Sequence, residues 1–354
     1  MRISRKHFIA IVILLPILGL IVGWSGLVGV RASTGHWAVT DWFLHWVMRN
    51  SVRTAAIGVR APPLTDPALL PPAAGHYEAG CAICHGSPVA ERSQAVLSML
   101  PVPPDLRMAV PTWSDEQLYE IVKHGVRFTG MPGWPAESRD DEVWAMVAFL
   151  RKLPELDMEG YQRLAGFNRS VLTNAFSETL ATCEACHAEN RLEEGSLIPS
   201  LSGQSEPYLL ESLRAYVEGK RASGIMEVAA GSLHDDVLQE LAKHYAGQER
   251  PAPLSASADE ELTERGRALA ERGRAEDKIP ACLTCHERTG GNPTYPRLSG
   301  QSARYIENQL RLFRQGIRGG TRYSHLMIEA AKNIDDGDIE ALAAYFSRRE
   351  RQAE

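Results

Sequence analysis

The sequence predicts an all-α protein: three tandem helical units of similar design behind one N-terminal transmembrane helix. Three observations lead there. A C-x-x-C-H motif occurs three times, at Cys81–His85, Cys183–His187 and Cys282–His286, roughly 100 residues apart. Behind each motif, apolar residues recur at i, i+3, i+4 and i+7, while no stretch shows the strict alternation of a half-buried strand. Ahead of them all, Phe8–Val30 runs for 23 residues without a charge. A chain of 354 residues, 44% of them hydrophobic, is long enough for several cores.

The apolar run comes first. At ~1.5 Å per residue it reaches about 35 Å, enough for a hydrocarbon layer of about 30 Å. A secretory h-region is shorter. Arg2, Arg5 and Lys6 precede it and favour a cytoplasmic N-terminus. Val30-Arg31-Ala32 offers a cleavage site, so a removed signal is the alternative to a retained anchor. Either one exports the three helical units. Residues 36–60 then set Trp37, Trp42 and Trp46 beside Arg49, Arg53 and Arg60, as in a helix at the headgroup level. A connector packed on the first unit, or a docking surface for a membrane partner, are the other readings of this segment.

The helices of the units follow from periodicity and punctuation. SDEQLYEIVKHG (114–125) and RDDEVWAMVAFLRKL (139–153) belong to the first, EPYLLESLRAYVEG (206–219) and DDVLQELAKHYA (235–246) to the second. ARYIENQLRLFRQG (303–316) and GDIEALAAYFSRR (337–349) belong to the third. Several open at Ser or Asp and close at Gly or before Pro. QERPAPLSASAD (248–259) reads as a linker, and a weaker boundary falls at 153–168. The expected division is residues 1–66 (anchor and interfacial helix), 67–157, 158–250 and 251–354.

All six cysteines fall in the three motifs. A thiol redox site needs one pair and no trailing histidine. Zinc needs four ligands per ion, and three pairs so far apart do not divide into such sites. Covalently attached haem uses every member: both thiols become thioethers, and the histidine becomes an axial iron ligand. Cys81, Cys84, Cys183, Cys186, Cys282 and Cys285 are thus the expected attachment points for three haems, and His85, His187 and His286 the proximal ligands.

Each iron then needs a sixth ligand, commonly Met or a second His. Met226 is the only methionine between Cys183 and Cys282, Met327 the only one after that, and Met131 lies in the loop FTGMPGW. The last helix of each unit tests them. Counting 12, 15 and 19 residues on from each methionine gives Val143, Met146 and Leu150; Leu238, Leu241 and Tyr245; Ile339, Leu342 and Phe346. One i, i+3, i+7 apolar stripe recurs at one offset, so the three methionines hold equivalent places. His124, His234 and His325 are the rivals. His124 reads as a residue near a helix end and His234 as a helix-start residue matching Asp335. His325, two before Met327, is the most credible.

The second and third units share SLSGQSEPYLLESLRAYVEGKR and RLSGQSARYIENQLRLFRQGIR. Over about residues 170–350 the chain resembles the dihaem cytochromes c of the c-four family, a pair of class I domains. The resemblance implies that the carbonyls of Pro199 and Pro296, just before the LSGQ motifs, accept from the Nδ1–H of His187 and His286. Such a bond fixes the tautomer and raises ligand basicity. Pro104, in VPPDL, is the corresponding candidate for His85. The first unit lacks LSGQ, and its GVRFTGMPGW resembles monohaem class I cytochromes, including those fused to membrane oxidases and dehydrogenases.

Charge is uneven: net +5 over 1–66, −5 over 67–157, −6 over 158–258 and 0 over 259–354. The acidic stretches suit steering of a basic partner or ordinary solubility. No basic stripe or aromatic platform points to nucleic acid. The expected function is electron transfer by a trihaem cytochrome c anchored in the cytoplasmic membrane and facing the periplasm. A terminal oxidase, a quinol-oxidising complex or a dehydrogenase are the expected redox partners. The alternative is the cytochrome subunit of a membrane-bound alcohol or aldehyde dehydrogenase. A haem peroxidase fits less well, because it needs an open iron position and each unit offers a methionine.

Overall fold

The computed structural model of the chain describes residues 5–26, 35, 37–166, 175–192, 195–249, 259–288 and 290–349. Among these there is no strand, only two isolated bridges, Ser87 with Ala90 and Arg274 with Ile279. Helix α1 (Arg5–Trp24) holds Pro16 and is exposed at Arg5 and from His7 to Trp24. Its window His7–Trp24 has mean hydropathy 2.5 and is long and apolar enough to cross a membrane. The end of the apolar run and the cleavage site at 30–32 lie outside the described residues. Helix α2 (Ala38–Ala55) leaves Trp37, Trp42, Phe43 and Trp46 exposed, with Trp42 stacked on Trp46. Its lower end rests on the first unit, where the Arg49 guanidinium lies 4.8 Å over the Trp113 ring.

The first unit is built from α3 (Leu70–His76), α4 (Asp115–His124), α5 (Asp140–Lys152) and α6 (Met158–Ala165). Helix α3 runs through a wider turn at Tyr77–Cys81 into a helical Ala82–His85. Ser114 and Gln117 form a capping box at the start of α4, each side chain bonding the other's backbone N–H. Asp157 caps α6 through the Gly160 N–H. Tyr77, Phe149 and Tyr161 form a fully buried aromatic centre, with ring separations of 5.3–6.3 Å. Tyr161 also donates to Glu78. Helix α6 thereby joins the first core, although the sequence pattern assigns residues 158–165 to the start of the second unit.

The second unit holds α7 (Ala175–His187), α8 (Glu206–Val217), α9 (Gly224–Ala230) and α10 (Asp235–Ala246). The third holds α11 (Glu260–Arg272), α12 (Ala303–Arg314), α13 (Ser324–Ala331) and α14 (Asp336–Arg348). Gly266 lets α11 cross α14 closely: a Cβ there would lie 1.9 Å from the Ala341 carbonyl. All nine stripe residues counted from the methionines are at most 4% exposed. The registers of the three final helices therefore agree.

Candidate haem-binding sites

Each motif places its histidine the same way. His85 Nδ1 lies 2.8 Å from the Pro104 carbonyl, His187 Nδ1 3.0 Å from Pro199 and His286 Nδ1 2.8 Å from Pro296. A carbonyl can only accept, so Nδ1 carries the proton and Nε2 keeps its lone pair free. Burial lowers the pKa of all three imidazoles, the proline carbonyls opposing it. Burial likewise pushes the Cys81 thiol up to about 12 and those of Cys183 and Cys282 up to about 11, each helped by its motif partner. The local backbones differ, however. Cys81 closes the wide turn after α3, Cys183 and Cys186 lie in the last turns of α7, and Cys282 opens a short 3₁₀ turn beyond α11.

In the second and third units one cavity of about 910 Å³ gathers the expected groups. Cys183, Cys186, His187 and Met226 line it together with Cys282, Cys285, His286 and Met327. His325 does not line it and is exposed, beside the cavity-lining Met327. His234 stands at the N-cap of α10, the place Asp335 takes in α14. His124 ends α4, 3.7 Å from Glu120. Cys81, Cys84, His85 and Met131 lie apart from this cavity. Met131 sits in a non-helical loop, tied down where the Val126 N–H donates to the Met131 carbonyl and the Trp134 N–H to Lys123. Met226 and Met327 instead lie in the helices α9 and α13.

The twin units grip each other by a reciprocal exchange. Gln204 donates to the Arg297 carbonyl and accepts from its N–H, at 2.6 and 3.0 Å. Gln301 does the same with Ser200, at 2.7 and 3.1 Å. Ser200 and Arg297 directly follow the prolines that hold the histidines, so each LSGQ glutamine braces the other unit's histidine loop. Seventeen residues beyond each glutamine stand Arg221 and Arg318, both lining the cavity. Arg318 donates to Tyr208 Oη. Burial raises the pKa of that phenol, but the two arginines outweigh it and bring it down to about 8. Sequence reasoning missed these arginines; their equal spacing from the repeated glutamines was the available signal.

Haem fits this donor set. Neutral imidazoles fixed by carbonyls, paired thiols and methionines converge on a cavity that also contains the buried Tyr245 Oη and Ser212 Oγ without hydrogen-bond partners. Among the described residues no three His, Cys, Asp or Glu side chains cluster as a zinc site would require. The fold and these sites define a c-type cytochrome. Residues 68–150 match the family described as cytochrome c oxidase, cbb3-type, subunit III. Cytochrome c4 of Azotobacter vinelandii is 33% identical over 178 residues, 47% of this chain and 83% of that protein. Cytochrome c4 of Pseudomonas aeruginosa is 32% identical over 169 residues, covering 47% and 83%. The thiosulfate dehydrogenase electron acceptor of Thiomonas intermedia is 34% identical over 175 residues, covering 47% and 78%. The chain belongs to the cytochrome c4 family, which covers about half of it, and its role is that of a non-catalytic electron carrier with covalently bound haem.

Proposed function

We propose that this protein is a trihaem cytochrome c, anchored in the cytoplasmic membrane by α1, that passes single electrons between redox proteins on the periplasmic side. The observation that carries the reading is the threefold recurrence of one arrangement: a C-x-x-C-H motif whose histidine gives Nδ1–H to a proline carbonyl. When bound, haem supplies a one-electron change at an iron that need not exchange ligands. The cysteines would attach it, His85, His187 and His286 would offer Nε2 to the iron, and Met131, Met226 and Met327 would supply the remaining ligand in each unit. The exposure of Met327's rival His325 supports methionine in the third unit.

The apolar α1 and the exposed tryptophans and arginines of α2 support a retained anchor with an interfacial helix. Tethering would raise the effective concentration of membrane partners such as a terminal oxidase or a quinol-oxidising complex.

A second reading makes the chain the electron-accepting subunit of a dehydrogenase. The relatives named as thiosulfate dehydrogenase electron acceptors favour it. Purification from membranes in mild detergent separates the readings. A free carrier comes away alone and is reduced by several donors, whereas a subunit retains a catalytic polypeptide in fixed ratio. Release of the intact chain from membranes by high salt or carbonate would overturn the anchor.

A further inference from the structure

The first unit reaches into the second at one buried point. Glu142, in the first turn of α5, is 6% exposed. Its carboxylate accepts from the Ser223 Oγ–H at 2.6 Å, the Gly224 N–H at 2.7 Å and the Trp134 Nε1–H at 3.2 Å. Arg139 lies 2.9 Å from it and donates to the Ala222 carbonyl at 2.9 Å. Asp141 holds that guanidinium from the other side through two bonds of 2.8 and 2.9 Å. Residues 222–224 are thus fixed from the first unit, two positions before Met226. The same Ser223 Oγ accepts from the Met226 N–H at 3.2 Å, so it joins Glu142 to the methionine's own backbone.

Gly224 makes the contact possible. A Cβ there would lie 2.2 Å from Trp134 Nε1. Counting from the methionines, Ser223 corresponds to Ser324 and Gly224 to His325. In the third unit Ser324 bonds Thr321 within its own segment, and His325 is exposed. The third unit's outside carboxylate sits farther from its methionine: Glu211 of the second unit accepts from the Arg322 N–H, five residues before Met327.

We propose that Glu142 is a positioning residue for Met226: the first unit supplies the group that holds the second unit's methionine segment in its ligating place. A buried carboxylate with three donors and an adjacent guanidinium is costly to disrupt, so the segment is held rigidly. The inference rests on the reading of Met226 as an iron ligand.

The test uses the full-length, haem-loaded chain and two readouts, the sulfur-to-iron charge-transfer band and titration of the oxidised protein with imidazole. Met226→Ala should remove about one third of the band; if it removes none, the ligand reading itself fails. Given that loss, Glu142→Ala should weaken the same third and make one haem of three bind imidazole on the order of tenfold more tightly. Glu142→Gln should fall between Glu142→Ala and the parent. Ser223→Ala tests the same link without touching the buried charge, should Glu142→Ala lose haem. A band and an imidazole affinity unchanged in Glu142→Gln and Ser223→Ala, with Met226→Ala effective, would overturn the proposal.

Discussion

The second and third units carry the same motifs in the same order, yet they are held in different ways. The third has a cluster of twelve buried apolar residues of its own, from Leu269 on α11 to Phe346 on α14. Among the described residues the second unit's cluster has four, Leu209, Leu241, Ala242 and Tyr245, while the buried Ile198 and Leu238 lie outside it. The second unit lies between neighbours that grip it on both sides, the first through Arg139 and Glu142 and the third through Gln301 and Arg297. Gly75 of α3 also approaches so closely that a Cβ would meet Cys186 Sγ at 2.7 Å. Repeated sequence therefore does not mean repeated stability. On the proposed reading, a unit with so small an apolar cluster relies on its haem and on its neighbours.

The largest expected effect breaks that comparison directly. Cys186→Ala should cost one haem and make the second unit melt at least about 10 °C below the parent transition, while Cys285→Ala should leave the third unit's α11–α14 core largely folded. Circular dichroism melts followed alongside haem absorbance distinguish the two variants. Equal losses would mean that the second unit's small core is not its weakness.

A pH effect sharpens the contact between first and second units. His76, at the end of α3, is buried against Trp134, ring centroids 4.6 Å apart, with Nδ1 unpaired. Burial lowers its pKa from 6.5 to about 4. Its depressed folded value means the neutral ring contributes stability above pH 6.5, lost progressively as pH falls to about 4. The loss is about 3 kcal/mol. Urea unfolding at pH 7 and pH 4 should show it, and His76→Phe should flatten that dependence. An unchanged slope in His76→Phe would assign the acid sensitivity elsewhere.

The smallest effect concerns the symmetric half of the comparison. Gln204→Ala and Gln301→Ala each remove two bonds to a neighbouring backbone and should each cost about 2 kcal/mol. If the exchange between the twin units is as reciprocal as its geometry, the two costs agree within about 0.5 kcal/mol. A clear inequality would show that one side alone carries the interface.

Much of this fold is legible in the residues alone. The six unit helices named from periodicity and caps lie where expected, α3, α6, α7, α9, α11 and α13 not having been among them, and the nine stripe residues are buried because one face of each final helix is apolar at the same register. The proline carbonyls meet the histidines as family resemblance implied. What remained hidden are contacts between units, which have no period. Glu142 reads as one more acid in the first turn of a helix, where the dipole alone would explain it. Met158–Ala165 looks like a boundary segment because its single large anchor, Tyr161, finds Tyr77 and Phe149 only in three dimensions. The helical setting of Met226 and Met327, against the loop around Met131, was likewise outside the reach of counting.

The central claim is that each of the three motifs holds a haem in this one chain. Pyridine haemochrome absorbance against protein mass, on chain matured in an exporting host, measures it most directly. The account predicts three haems per chain, all retained after denaturation because the bonds are covalent. A ratio of two or fewer in fully matured protein, or haem that extracts into acidified solvent, would contradict it.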